Sequence, residues 1–234
     1  TALMQDGTTL RVGVSGHPKD FEKKPVHDLY ACLVDLDTGV VSLPSSGRII
    51  GNLRSGEGLP LDYRDLELVS RTPIDRTINV LDVSTAPEFE IGFVSKFRSD
   101  DETRDAQYEV AALRNGTWQV EPITAAGRKF GYIHAGLYVG GLAFPDRGAS
   151  GQLYLTREEA GLWHFEFWRR RDDGTWTATA LIEPGRTRLA RPWAIENPDP
   201  GLGAVALRIK HYADDSYFGS AADLIGIPVP RELN

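Results

Sequence analysis

Leu162-Trp-His-Phe-Glu-Phe-Trp-Arg-Arg-Arg-Asp-Asp-Gly-Thr-Trp-Thr-Ala178 decides how the rest of the chain is read. Apolar residues alternate with polar ones, a Gly-containing turn follows, and a second short strand begins. The same block occurs twice more. One copy is Asp28-Leu-Tyr-Ala-Cys-Leu-Val-Asp-Leu-Asp-Thr-Gly-Val-Val-Ser-Leu43, and the other is Gln107-Tyr-Glu-Val-Ala-Ala-Leu-Arg-Asn-Gly-Thr-Trp-Gln-Val120. A block that recurs at this spacing is a repeated structural unit, so its copies can be aligned on one another.

Around each hairpin the chain reads as a four-stranded unit, a to d. Windows with apolar residues at helical spacing are scarce, while 24 glycines and 14 prolines supply the turns that many short strands need. In the second unit the strands are predicted at 77–83, 89–96, 107–113 and 117–123. In the third they fall at 135–144, 152–156, 162–169 and 175–182. The first unit has strand a at Ala2-Leu-Met, then 10–15, 28–36 and 40–43. The last has 191–195, 204–209 and a weak 217–221, with no clear fourth strand before Ile225-Gly-Ile-Pro-Val-Pro.

This makes the chain an all-β protein, a β-propeller of four-stranded antiparallel blades in a single domain over 1–234. The blades span about 1–44, 76–124, 134–183 and 190–228, and 45–75 is an insertion or extra strands. A sandwich of the same strands would not account for the internal repeat. Two arrangements fit: a compact ring of four to five blades, or part of a larger ring completed by an upstream portion of the same propeller.

With 33 acidic against 26 basic residues, the net charge of −7 argues against nucleic acid as the main partner. No apolar run approaches the roughly 20 residues that a membrane span requires. The single cysteine, Cys32, lies in an alternating strand and reads as a small core residue, and one cysteine allows no internal disulfide. The opening Thr1-Ala-Leu-Met-Gln contains no signal peptide.

The repeat also acts as a ruler for function. In antiparallel blades the start of strand a and the end of strand b lie at the same end of the sheet. Arg76, His134 and Arg191 precede strand a in the last three units. His17, Lys96, Arg157 and the pair Lys210–His211 close strand b in all four. Each of these slots is a cation or a histidine, in a chain that is acidic overall. Strand ends reach solvent and carry charge for that reason alone, but solvation does not select one sign. A cup of convergent cations would focus an anionic ligand, and the guanidinium fork suits carboxylates.

Tyr132, Tyr138, Tyr212 and Tyr217 flank the same ends, where rings can stack on sugars and hydroxyls can move protons. Trp118 and Trp176 follow the Gly turns at equivalent positions and read as core, as do Trp163 and Trp168. No phosphate-binding loop, nucleophile elbow or Cys-x-x-Cys pair is present. His17 and His27 flank Asp20 and Glu22 without a diagnostic zinc spacing. The acidic runs Asp100-Asp-Glu and Asp214-Asp read as solvated turns rather than calcium loops. No cofactor is expected, and neither structural calcium nor zinc has support in these spacings.

Gly140-Gly-Leu-Ala-Phe-Pro-Asp, Gln152-Leu-Tyr-Leu-Thr-Arg-Glu, Arg191-Pro and Ala204-Val-Ala-Leu-Arg-Ile-Lys-His-Tyr resemble the BNR-type β-propellers among polysaccharide lyases. Gly16-His17 fits that pattern as well. The group is similar to ulvan lyases and rhamnose–glucuronate lyases, whose rings have seven blades. The sialidase Asp-box is met only in part, by Asp172-Asp-Gly-Thr-Trp176. The resemblance implies β-elimination at a uronic acid in a secreted or periplasmic protein acting on acidic polysaccharide. Arg76 and Arg191 would then hold the carboxylate. His17 would act as base or acid, with Tyr138, His134 or His211 as its partner. Lys96, Arg157, Lys210, Tyr212 and Tyr217 would complete substrate binding. Two alternatives stay open. A glycoside hydrolase on the same fold would need paired carboxylates, for which Asp75, Asp82 and Asp146 are candidates. A non-catalytic propeller module would bind acidic glycans or a protein partner.

Overall fold

A computed structural model describes residues 2–3, 7–15, 28–97, 105–127, 131–132, 138–145, 149–194, 204–209 and 222–227. Among them the protein is all-β. The one helical element among the described residues is a 3-10 turn, Tyr63–Asp65. No helix among these residues is long and apolar enough to cross a membrane. The chain divides into two compact units. Thr1–Asp100 with Glu109–Pro122 forms the first, and Asp101–Tyr108 with Ile123–Asn234 forms the second.

The first unit opens with β1 (Ala2–Leu3), β2 (Thr9–Ser15), β3 (Leu29–Asp35), β4 (Val40–Ser42) and β5 (Ile49–Asn52), hydrogen-bonded in chain order. β6 (Glu67–Ser70) returns to β3. The far edge of β3 is therefore divided: Leu33 and Val34 pair with β4, and Leu29 to Ala31 pair with β6. β5, the 3-10 turn and β6 all lie in the 45–75 segment.

The alternation in β3 shows in its packing. Leu29 and Ala31 join a core with Val69, Ile78, Phe89, Ile91, Phe93 and Ala111. Cys32 and Val34 face a second cluster with Val41. Each large side chain removed from water in this way contributes roughly 1.5–3 kcal/mol. Cys32 is the small buried residue its pattern indicated, and burial pushes its thiol pKa up.

β7 (Arg76–Val83), β8 (Phe89–Phe97), β9 (Ala106–Arg114) and β10 (Thr117–Gly127) form a four-stranded meander. The turn between β9 and β10 is the two residues Asn115 and Gly116, both at positive φ (51° and 74°). That is the backbone twist which suits a two-residue hairpin, and Asn-Gly adopts it at least cost. The other two repeat turns are built differently. Thr38 donates its N–H and hydroxyl to Asp35 Oδ1 (2.7 and 2.8 Å), and Thr175 does the same to Asp173 Oδ1 (2.9 and 2.6 Å). Those Thr175 bonds hold the Asp173 carboxyl below its ordinary pKa.

The second unit contains β11 (Gly131–Tyr132) paired with β12 (Tyr138–Val139). A second meander follows: β13 (Gly141–Ala143), β14 (Gln152–Glu159), β15 (Leu162–Arg170) and β16 (Trp176–Ala180). The single strand predicted at 135–144 is broken, because Gly140 and Gly141 both take positive φ (77° and 153°). Gly140 N–H then turns to the carbonyl of Leu189 (2.8 Å).

β14 is buried on both faces, Leu153 and Leu155 on one and Tyr154 and Thr156 on the other. Tyr154 packs against Phe167 (5.4 Å between ring centres) and Phe165 (6.4 Å). Trp163 and Trp168 are buried as well. The Tyr108 hydroxyl accepts from Gly141 N–H (2.6 Å) and donates to the Thr156 carbonyl (2.8 Å), which closes the end of the β13–β14 ladder.

The last sheet is β17 (Arg188–Ala194), β18 (Ala204–Ile209) and β19 (Ala222–Ile227). Here the predicted third strand is misplaced. The partner of β18 is 222–227, inside the expected 190–228 span but just beyond the strand predicted there. The predicted 217–221 lies outside the described residues. The two four-stranded antiparallel meanders are what the repeat anticipated, the six-, two- and three-stranded sheets are not, and the all-β class holds.

Candidate functional site

His17, His134, Lys210, His211, Tyr212 and Tyr217 lie outside the described residues. Tyr138 and Arg191 are placed by their backbone. Tyr138 pairs with Tyr132 across β11–β12. Arg191 sits inside β17, where the ladder to β18 is irregular between Ala190 and Trp193. The residue that starts this strand is Arg188, paired with Ile209. The repeat position assigned to Arg191 thus belongs to Arg188, three residues earlier, because β17 extends further back than its apolar pattern indicated.

Arg76 begins β7 opposite Phe97, and Thr77 is opposite Lys96. Residues directly opposite in a ladder share a face and their neighbours take the other. Arg76 and Lys96 therefore share a sheet end but stand on opposite faces. The Arg76 guanidinium lies over the Phe97 ring, 4.5 Å from its centre, and donates to Ser95 Oγ (3.2 Å). Ser95 in turn donates to Glu109 in a short hydrogen bond. Buried Ser95 thus relays the arginine to a carboxylate within the first unit.

Arg157, in the second unit, is held more tightly. Its Nε and Nη2 donate to the two oxygens of Glu166 (2.8 and 3.0 Å), a bidentate fork. Nη2 also stands 3.1 Å from Glu159 Oε2. Trp168 Nε1 donates to Glu166 (2.8 Å). His164 lies directly across the ladder from Arg157, with Nδ1 3.5 Å from Glu166 and Nε2 3.9 Å from Glu159. Burial alone would lower the pKa of the Arg157 guanidinium. The hydrogen bonds and charge of Glu166, with those of Glu159, more than offset it and leave the pKa raised.

The sequence reading found Arg157 but not Glu166, His164 or Glu159. Their signal is the face rule: Arg157 and Glu159 of β14 share a side with His164, Glu166 and Trp168 of β15. Among the described residues no group of His, Cys, Asp and Glu is arranged to hold a metal ion. Compared with known proteins, the chain matches no protein-family model and no curated protein.

Chemically, each unit by itself offers a group suited to carboxylate recognition. In the second it is the Arg157 fork with the His164 imidazole beside it; in the first it is the Arg76 guanidinium over the Phe97 ring. Arg76 and Arg157 are each oriented by partners within their own unit, so their planes are fixed before any ligand arrives.

Proposed function

We propose that this chain forms a β-propeller, or part of one, that binds uronic-acid-containing polysaccharide and cleaves it by β-elimination. One observation carries the reading. The corresponding end of three separate strand a–strand b pairs bears a cation: Arg76 and Lys96 at β7–β8, Arg157 at β14, and Arg188 at β17. The chain as a whole carries a net charge of −7, so the recurrence runs against its composition.

In a ring of blades these ends would face one mouth and concentrate an anionic sugar. A cation paired with the uronate carboxylate acidifies the proton on C5. A base, with His17 as the candidate, removes that proton. The electron pair forms the C4–C5 double bond as the C4–O bond breaks. Tyr138, His134 or His211 then protonates the departing oxygen. Proton transfer by positioned side chains would contribute about 10²–10⁴-fold in rate. Arg76, with Arg188 in the repeat position first given to Arg191, would hold the carboxylate; Lys96, Arg157 and Lys210 would complete substrate binding, and Tyr212 and Tyr217 would stack on sugar rings. Substrates of this class place the protein outside the cytoplasm.

The test is incubation of the folded protein with a panel of uronate polysaccharides while following the ultraviolet absorbance of the conjugated double bond. A rise that disappears in His17→Ala supports the reading. No rise on any member of the panel sinks it. A second reading, binding without turnover, draws on the internal partners of Arg76 and Arg157, which hold these cations for recognition rather than for movement. It would give saturable binding and unchanged polymer length.

A further inference from the structure

Two carboxylates touch Arg157, and they are held in different ways. Glu166 is buried, with 6% of its side chain exposed, and takes both arms of the guanidinium fork. Its second oxygen also receives Trp168 Nε1–H. Glu159 has 60% of its side chain exposed and makes single-point approaches, 3.1 Å to Arg157 Nη2 and 3.9 Å to His164 Nε2. A buried bidentate pair resists separation, because parting it strands a charge away from water. An exposed pair is held weakly, because water solvates both partners once they separate. Glu159 is therefore a carboxylate lodged lightly between an arginine and a histidine that are themselves fixed from behind.

We propose that this notch, formed by Arg157 and His164 and backed by Glu166 and Trp168, is a carboxylate-binding subsite for an acidic sugar, with Glu159 as the internal occupant that a uronate displaces. The choice of uronate rests on the function proposed above. The notch itself rests on the geometry of β14 and β15. Glu166 fixes the guanidinium plane and leaves its outer edge to the second carboxylate. His164 supplies a ring nitrogen on the other side of that carboxylate. Leu162, opposite Glu159 in the ladder and 37% exposed, offers an apolar surface beside the notch for a sugar face.

Removing the charge of Glu159 should empty the notch without disturbing the buried pair. The experiment is calorimetric titration with glucuronate and galacturonate oligosaccharides at low salt, with a neutral oligosaccharide of equal length as control. Elimination is followed by ultraviolet absorbance in the same samples. Glu159→Gln should tighten uronate binding about fivefold, the scale of an exposed ion pair. His164→Gln should weaken it several-fold, and the neutral sugar should not bind. Both substitutions are at partly exposed positions, and thermal unfolding of each variant verifies its fold. Binding that shifts in this way without elimination supports the notch and sinks the lyase reading alone. Elimination with affinities unchanged in both variants overturns the notch alone. A neutral sugar that binds equally well also overturns the notch. Neither binding nor elimination in any sample overturns both.

Discussion

Each unit holds an arginine largely out of water, and the acceptors that meet it differ in kind. In the first, Arg11 is 5% exposed and donates to the carbonyls of Ser84 (2.9 Å), Ala86 (2.7 Å), Glu88 (2.8 Å) and Pro87 (3.0 Å). Its guanidinium lies over Phe89, 5.0 Å from the ring centre. In the second, Arg157 is met by the side-chain carboxylates of Glu166 and Glu159. Backbone acceptors cannot be changed by substitution, so through these four bonds Arg11 clamps the 84–88 loop. Carboxylate acceptors can be exchanged, removed or displaced. The contrast separates a cation used as a fastener from one used as a socket.

The comparison breaks most visibly at Glu166. Glu166→Ala leaves the largely enclosed Arg157 charge without its main partner and should cost about 3 kcal/mol or more in urea denaturation. Combining Arg157→Met with Glu166→Gln should recover most of that loss, because the charge is gone and Trp168 keeps an acceptor. Arg11→Met should cost about 3 kcal/mol, since it orphans several carbonyls together. The carbonyls stay orphaned whatever side chain is changed, so a second substitution should restore less than it does at Arg157, and a full rescue would erase the contrast between the two arginines.

A neutral donor should cost less than either. Tyr108→Phe deprives the Gly141 N–H of its acceptor and the Thr156 carbonyl of its donor, for about 1–2 kcal/mol by the same measurement. Burial pushes the neighbouring Tyr154 phenol from 10.0 up to about 12. The folded state therefore holds this proton more tightly than the unfolded chain does. Its contribution is fully present below pH 10 and is lost as pH rises through 12. Between pH 10 and 11 thermal stability should fall by about 1 kcal/mol from this group, and Tyr154→Phe should flatten that part of the profile.

The smallest effect concerns the hinge of the socket. Ala160 holds φ at 51°, which an L residue with a Cβ disfavours, and Gly161 follows at 82°. Ala160→Asn should raise stability by about 0.5 kcal/mol while leaving the Arg157 contacts unchanged.

This turn also explains what could and could not be read in the sequence. The meanders were legible because alternation and Gly turns are local signals. Asn115-Gly116 announces its hairpin, and β7 to β10 fall within a few residues of their expected limits. Ala160-Gly161 carries no such signature. Recognised as a two-residue turn, it would have placed 159 opposite 162 and hence 157 opposite 164, which reveals the Arg157–His164 pair. Arg11 gave no warning, since nothing in a sequence marks an arginine bound by backbone carbonyls. The start of β17 at Arg188 was missed because Arg186 and Arg188 interrupt the apolar pattern before the pairing with β18 does.

The divided edge of β3 has a consequence for association between molecules. β4 is three residues long and pairs with β3 only at Leu33 and Val34. Left alone, residues 29–31 would present a row of unpaired amides and carbonyls to any other extended strand, the usual route to aggregation in sheet proteins. β6 covers that row. The segment between β4 and β7, which interrupts the repeat, thus acts as a guard that seals an edge the short β4 leaves open.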